Sequence, residues 1–365
     1  MNIFTIYLIL YVLFLLVFFW GGASLSFQKK ASTSKSDSIK LENITVVIPF
    51  RNEERRIAPL LGCIKQSQSL PKEFIFVDDH SDDETLKLIK QVANAKIKML
   101  SMEKTSGKKR SIEKGINAAE TDYVLTLDAD VSFSPHFFGN LEKLKPANLH
   151  ILPVKHHCSN FIRLFFQQDV ILASFLNVCI SGWKRPILCS GANLLIHRHS
   201  YFETVMNPSY FEIDSGDDIF LLRAMQQKNK KIELHTESDF AVQTELPLTW
   251  NECIHQRMRW LGKAIKVGDR LANASAQIQF AFSFLNIGFL VGCLLFLPTK
   301  YALTLLFLKI FVELLFSFSY YRKNKQLGLW FFLPLYLVIL PVVNGIMLFA
   351  FFGFQPKWKG RLVVQ

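Results

Sequence analysis

Between Asn43 and about Phe240 the apolar positions come in short runs separated by longer amphipathic stretches. Ile44-Thr-Val-Val-Ile-Pro-Phe50 is one such run and reads as a buried strand. Glu73-Phe-Ile-Phe-Val77, a short run near Lys96 to Met102, and Tyr123-Val-Leu-Thr-Leu127 read the same way, with helical patterns between them. Strands alternating with helices predict βαβ units, hence an α/β fold with a mostly parallel sheet flanked by helices. In such a sheet ligands bind outside the carboxyl ends of the strands. Asp78-Asp79 and Asp128-Ala-Asp130 fall at two of those ends.

The pattern changes at both ends of the chain. Ile3 to Trp20 is apolar and uncharged, about long enough to span a bilayer. A cleaved signal peptide has a basic start and a shorter apolar core, and this segment has neither, so an uncleaved anchor is expected. Lys29, Lys30, Lys35 and Lys40 follow in a Ser-rich linker, which the positive-inside rule assigns to the cytosol. From about Leu246 to Arg270, Ile254, Met258, Leu261 and Ile265 form one apolar helical stripe, with Arg257, Arg259, Lys263 and Lys266 on other faces. Such a helix either lies in the membrane interface or packs on the sheet domain. Ile278 to Leu297, Ala302 to Tyr320 and Leu329 to Phe352 are each near membrane length.

The expected organisation is therefore an anchor over 1–22, a basic Ser-rich linker over 23–42 and an α/β domain over 43–244. An amphipathic interface helix over 245–272, about three transmembrane or re-entrant segments over 273–354 and a basic tail over 355–365 follow. The basic loop Tyr321-Arg-Lys-Asn-Lys325 and the basic tail pull against each other, since three full spans would put that tail outside. Either one segment is re-entrant or the tail breaks the rule. Pro334 and Pro341 make the last segment the one expected to be irregular.

Composition agrees with a membrane protein: half of the chain is hydrophobic, and the 34 Phe are a high count. The net charge of +12 suits an anionic partner, an acidic leaflet or a nucleotide sugar. No long basic block reads as a nucleic-acid arm, so nucleic acid is not an expected partner. Cys63, Cys158, Cys179, Cys189, Cys253 and Cys293 are scattered, without a C-x-x-C pair or zinc spacing. Free thiols in a reducing compartment are expected to put the polar domain in the cytosol. The Phe- and Lys-rich composition points to a bacterial inner membrane as the expected location.

Several polar clusters carry candidate chemistry, each beside a plainer reading. Pro49-Phe-Arg-Asn-Glu53 closes the first strand, as an ordinary turn or as a loop touching a nucleotide. In Val77-Asp-Asp-His-Ser-Asp-Asp-Glu-Thr85, Ser81 with Glu84 fits a capping box, which leaves Asp78 and Asp79 unexplained. Gly107-Lys108-Lys109-Arg110 precedes a helix, where the macrodipole disfavours cations unless they face phosphates. Asp128 and Asp130, two apart on an extended segment, point the same way and repel unless a cation sits between them. A hard divalent ion, Mg²⁺ or Mn²⁺, fits. Ser215-Gly-Asp217-Asp218 opens a helix, as a cap or as a source of a general base toward an acceptor hydroxyl. Gln256, Arg259, Trp260 and Lys263 share one helix face suited to diphosphate capture, or to cation–π packing alone. Lys309 and Glu313 lie four apart inside a predicted span, as a functional pair or a self-neutralising one.

The order P-x-x-N-E, D-D-x-S-x-D-x-T, G-K, D-x-D, G-x-D-D and Q-x-x-R-W resembles the family-2 glycosyltransferases. More narrowly it is similar to their membrane-integral branch, with the cellulose, chitin and hyaluronan synthases and ceramide glucosyltransferase. Ser190-Gly-Ala-Asn193 and Trp358-Lys-Gly-Arg361 also resemble that branch. The resemblance implies a GT-A type nucleotide-sugar-binding domain and a metal-assisted, inverting displacement. It implies that Pro49, Glu53, Asp78, Asp79 and Lys108 lie around the nucleotide, and that Asp128 and Asp130 hold metal and diphosphate. It matches Asp218 to the catalytic base, Asp217 to its acidic neighbour, and Gln256, Arg259 and Trp260 to the signature that closes over diphosphate and acceptor. Lys109-Arg-Ser-Ile112 after the G-K pair, and Asp-Asp in place of Glu-Asp, depart from the usual pattern.

The expected reaction is transfer of one sugar from a nucleotide sugar, UDP-linked by resemblance, to a lipid or glycan acceptor at the cytosolic membrane face. Processive polymer synthases carry more spans than are counted here, which makes a polysaccharide synthase the alternative. A non-catalytic scaffold has no reason to keep every acidic and Q-x-x-R-W position filled. A transporter needs a pathway that about four spans do not offer.

Overall fold

The computed structural model describes residues 2–30, 38–92, 96–103, 107–157, 161–205, 217–247, 249–353, 357–358 and 361–362. The chain forms two compact units that interleave in sequence. One comprises Met1–Thr33, Cys158–Ile187 and Leu248–Pro356; the other comprises Ser34–His157, Leu188–Pro247 and Lys357–Gln365.

The second unit is built on β1 (Ile44–Phe50), β2 (Glu73–Asp78), β3 (Ile97–Ser101) and β4 (Tyr123–Leu127), near the bounds expected from their apolar runs. Every residue of β1 and β4 is buried, as continuous rather than alternating apolar strands require when both faces of a sheet are covered. The helices α2 (Ala58–Gln66), α3 (Thr85–Val92) and α4 (Lys108–Ala118) connect these four strands, which pair in parallel. The chain then makes β5 (Val131–Phe133), α5 (Phe137–Leu141), β6 (Leu149–Ile151) and β7 (Val154–His157). After an excursion into the other unit through α6 (Phe161–Trp183) it returns as β8 (Asn193–His197), α7 (Arg198–Val205), α8 (Asp217–Gln227), β9 (Ile232–Leu234) and β10 (Val242–Glu245). The large sheet has the order β3-β2-β1-β4-β8-β6-β9, and β8 alone runs antiparallel to its neighbours. A small sheet has the order β5-β10-β7.

The strand order reverses between β1 and β4, because β2 and β3 extend the sheet to one side and β4 starts the other. Such a switch point opens a crevice at the carboxyl ends of the strands. Here the β1–β4 pairing stops at Val47 and Thr126, while β1 runs on through Pro49 paired with β2 alone. Pro49 lacks an N–H and sits where no β4 partner would use one. On the sheet face, α4 approaches β1 closely: a Cβ added at Gly115 would lie 2.4 Å from Val47 Cγ1.

The other unit is helical. It contains α1 (Ile3–Lys30), α6, α9 (Trp250–Val267), α10 (Arg270–Phe296), α11 (Thr299–Lys323) and α12 (Leu327–Gly353). Among the described residues five helices are long and apolar enough to cross a membrane: α1, α6, α10, α11 and α12. The sequence pattern yields four, and α6 is the correction. The expected unbroken domain over 43–244 is interrupted by it. Its mean hydropathy is 1.4, against 1.9 to 2.7 for the others, because Gln167, Gln168, Asp169 and Asn177 dilute the apolar run. Within the unit those polar groups have partners: Gln168 Nε2 donates to Tyr321 Oη at 2.6 Å, and Tyr336 Oη donates to Asp169 at 2.7 Å. Asp169 also pairs with Arg257.

Gly21 lets α6 lie against α1, since a Cβ there would fall 2.2 Å from the Cys179 carbonyl oxygen. Pro334 and Pro341, expected to make the last segment irregular, lie inside a continuous α12. Helices in apolar surroundings carry proline where neighbouring groups or local adjustments re-satisfy the freed carbonyls. Lys309 and Glu313 do pair, at 2.5 Å, and the pair is larger than its two members: Tyr11 Oη of α1 donates to Glu313 at 2.7 Å.

Candidate active site

Three loops of the second unit assemble at the switch point, and local chemistry explains each. The first follows β1 and the second follows β2. They are clasped: Asn52 Nδ2 donates to Asp82 Oδ1 at 2.6 Å, and the Asp82 N–H donates back to Asn52 Oδ1 at 3.0 Å. The Glu53 N–H reaches Thr85 Oγ1 at 2.8 Å, and the Glu54 N–H reaches Asp83 Oδ2 at 3.0 Å. Asn52 and His80 hold positive φ of 51° and 60° at the two turns, conformations that concentrate at functional sites.

The capping box expected of Ser81 and Glu84 is not formed. Ser81 Oγ accepts from the Asn52 N–H at 3.1 Å, and the Glu84 N–H donates to Glu54. Asp83 caps α3 instead, accepting from the Thr85 N–H and hydroxyl. Slight burial works against the Asp83 carboxylate, but the Thr85 hydroxyl and the Glu54 and Thr85 amides outweigh it and hold its pKa below the usual range.

The third loop precedes α4. Gly107 has φ 121° and ψ 141°, a region open essentially to glycine alone. Its N–H donates to Asp79 Oδ2 at 3.0 Å. Asp78 Oδ1 accepts from the Ser81 N–H at 2.9 Å. Both carboxylates are buried, so part of the work of Asp78 and Asp79 is to hold these loops. With Gly107 fixed, Lys108 opens α4 and sets its Nζ 2.5 Å from Asp128 Oδ1. Lys109, next along, is buried with its ammonium 4.7 Å from the Phe220 ring centre.

Asp128 and Asp130 do not lie on an extended strand end as the sequence suggests. Asp128 follows β4 and Asp130 sits in the turn that carries the chain from the large sheet into β5 of the small one. The two carboxylates still act on each other. Burial, then the Asp128 charge, then Glu53 raise the Asp130 pKa to about 6, against the pull of Arg56 and Lys108. Arg56 Nη1 stands 3.9 Å from Asp130. A pair of carboxylates held together against their repulsion, with all-oxygen donors, fits a hard divalent cation.

Asp218, in the first turn of α8, accepts from the Gly191 N–H at 3.3 Å and the Ile219 N–H at 2.8 Å. The two amides fix the position of the carboxylate at the start of the helix. Gly191 belongs to Ser190-Gly-Ala-Asn193, so the contact gives that motif a physical use. Asn193 Nδ2 in turn ties the start of β8 to the Pro153 and Phe240 carbonyls at 2.9 Å. Asp217 also lies in α8, but its side chain, like Ser215 and Gly216 before it, is outside the described residues.

The family model for glycosyl transferase family 2 matches residues 45–187, and that for glycosyl transferase family group 2 matches residues 123–354. The chain belongs to glycosyltransferase family 2. The chain is 35% identical over 102 residues to an undecaprenyl-phosphate 4-deoxy-4-formamido-L-arabinose transferase of Proteus mirabilis, covering 26% of this chain and 31% of that one. It is 31% identical over 114 residues to a 4,4'-diaponeurosporenoate glycosyltransferase of Staphylococcus aureus, covering 31% and 30%. The chain thus spans about a third of the length of the curated relatives it matches. Its fold is that of the mannosyltransferase PcManGT from Pyrobaculum calidifontis, solved with GDP-Man and Mn²⁺. The TM-score is 0.56 at 16% identity, over 93% of this chain and 97% of that one.

The Q-x-x-R-W signature lies on α9, in the helical unit. Gln256 and Arg259 are half-buried and Trp260 is exposed. Burial lowers the Arg259 pKa to about 10 and leaves the guanidinium charged at neutral pH. Of the expected apolar stripe, Met258 is fully buried and Ile254 half-buried; the side chains of Leu261, Lys263 and Ile265 are outside the described residues. Arg257 faces Asp169 and not a ligand-bearing surface.

Sequence reasoning missed the clasp of Asn52, Asp82, Asp83 and Thr85, and the amide of Gly191 behind Asp218. A signal existed, since Asn52 lies in P-x-x-N-E, and Asp83 and Thr85 lie in the D-D-x-S-x-D-x-T run.

Proposed function

We propose that this transferase moves one sugar from a nucleotide sugar to a lipid or lipid-linked acceptor, with inversion and with a divalent cation. The observation that carries the reading is the grouping in one compact unit of Lys108, Asp128 and Asp130 at the β1/β4 switch point with Asp218 braced by the Gly191 amide.

In this reading Asp128 and Asp130 hold Mg²⁺ or Mn²⁺, which when bound neutralises charge on the departing diphosphate. Lys108 stands beside Asp128 to bind a phosphoryl oxygen. Pro49, Glu53, Asp78 and Asp79 shape the base and ribose side. Asp218 takes the proton of the acceptor hydroxyl as that oxygen attacks the anomeric carbon, and the electron pair of the breaking C–O bond leaves with the nucleotide diphosphate. Asp217 is its acidic neighbour, and Gln256, Arg259 and Trp260 close over diphosphate and acceptor. The names of the two curated relatives support a lipid-class acceptor, and the five apolar helices support its presentation at a membrane, on the cytosolic face in our reading.

The test is nucleotide release by the purified full-length transferase in detergent. UDP- and GDP-sugars are supplied with Mn²⁺ or Mg²⁺, with and without a lipid extract. Release that needs both metal and lipid, with a lipid product carrying one added sugar by mass spectrometry, is the expected result. A ladder of products would make it a polymer synthase, and release indifferent to lipid would remove the lipid acceptor.

A further inference from the structure

His150, Glu233 and His235 meet on one face of the large sheet at its far edge. His150 and Glu233 are direct partners in the parallel pairing of β6 with β9, so their side chains share a face. His235 follows Glu233 by two residues and stays in register, its N–H donating to the Ile151 carbonyl at 2.9 Å. One ligand atom from each of the three lies within 4.8 Å of the other two. His150 Nδ1 and His235 Nε2 are 3.1 Å apart.

We propose that these three side chains bind a late first-row divalent cation, zinc foremost. Two imidazoles and a carboxylate are a zinc donor set, with bonds of about 2.0–2.2 Å. Two ligands of one such ion stand roughly 3.3 Å apart when tetrahedral and at most about 4.2 Å. The imidazole pair already meets that distance, and Glu233 closes by well under one side-chain rotamer change. Glu233 is half-buried and has a cation beside it, Lys231 Nζ at 3.1 Å, which the metal would displace. Behind His235 stands the Glu237 carboxylate, 3.7 Å from Nδ1. A closure of a few tenths of an ångström would bring it into hydrogen-bond range of that nitrogen, the arrangement that orients a metal-binding imidazole. The plainer account, a single N–H···N hydrogen bond between the histidines with Glu233 paired to Lys231, explains these contacts without gathering three donor atoms for a purpose.

This site is separate from the carboxylates after β4. Strand β8 separates β4 from β6, and at about 4.8 Å per strand the β6/β9 site lies on the order of 10–15 Å across the sheet from β4. Their chemistries also differ, all-oxygen there and nitrogen-rich here. A zinc ion would tie the edge strand β9 to β6, a structural role independent of sugar transfer.

Co²⁺ titration of the full-length protein in detergent, after chelator treatment, tests the proposal. Asp128→Asn/Asp130→Asn is used as the background, so that the oxygen site does not contribute. One equivalent per chain with the intense visible bands of four-coordinate Co²⁺, displaced by Zn²⁺, is expected. His150→Gln and His235→Gln should abolish it, and Glu237→Gln should weaken it by about 10–100-fold. If either histidine variant fails to fold, Glu233→Gln, on the outer side of the site, takes its place. No Co²⁺ bands in the parent, or bands unchanged in the ligand variants, would overturn the site.

Discussion

Asp130 carries a pKa of about 6 because burial and the Asp128 and Glu53 charges oppose its ionisation. The sign follows directly. A raised carboxyl pKa means the proton is held more tightly than usual, and proton and metal compete for the same oxygens. Above pH 6 the site is ionised and ready; below it, Mn²⁺ affinity should fall by about tenfold per pH unit. Mn²⁺ titration between pH 5 and 8, followed by electron paramagnetic resonance, checks this, and affinity flat across that range would dismiss it. Asp218 makes a different prediction. Two backbone amides hold its carboxylate in place, so Asp218→Asn preserves shape and removes only the proposed base. Turnover should drop by about 10²–10⁴-fold with the KM for donor little changed. A smaller loss would mean an acceptor that arrives already ionised, such as a phosphate. Both carboxylates stood out in the sequence, Asp130 because it closely follows a buried apolar run and Asp218 because it opens a helix beside a second acid; their roles belong to the proposed function. The Gly191 amide and the Asn52–Asp82 clasp were not, since each joins residues about thirty apart through loop geometry that no local pattern encodes.

Elements are held by a few contacts that spacing alone hides. The Gly107 backbone is the clearest in the sheet unit: with φ 121° and ψ 141°, any side chain there costs about 1–3 kcal/mol. Gly107→Ala should lower thermal stability by a few degrees and weaken nucleotide binding more than Gly62→Ala, where an added Cβ meets nothing. Differential scanning fluorimetry with and without nucleotide separates the two effects. In the helical unit, Lys309 and Glu313 are buried and joined by Tyr11. Glu313→Leu would leave an uncompensated ammonium and should cost about 3–5 kcal/mol, whereas Lys309→Met with Glu313→Leu should cost much less. Unfolding of the two variants in bicelles tests that ordering. The i,i+4 spacing showed the pair; that it fastens α1 to α11 required the fold. The strands of the large sheet were read closely because β1 and β4 are uninterrupted apolar runs. α6 was missed for the opposite reason, since polar residues such as Gln168 and Asp169, whose partners lie on α9, α11 and α12, dilute the apolar run.

The whole chain passes back and forth between its two units, and α6 is where this matters most. Both of its flanks belong to the sheet unit, His157 before it and Leu188 after it. α6 has the length and composition of a membrane-crossing helix, and its side-chain partners belong to the helical unit. Residues 38–247, the segment a sequence-based boundary would excise as a soluble domain, carry α6 without the helices it packs on: its Gln168 partner Tyr321, its Asp169 partners Arg257 and Tyr336, and Gly21 against Cys179 are all left behind. Expressed alone, that fragment should expose a large apolar patch and collect in the membrane or aggregate fraction. Replacing 158–187 with a short Gly/Ser linker should shift it to the soluble fraction while keeping Mn²⁺ binding at Asp128 and Asp130. A soluble, monomeric 38–247 with α6 intact would mean that the sheet unit itself covers the helix.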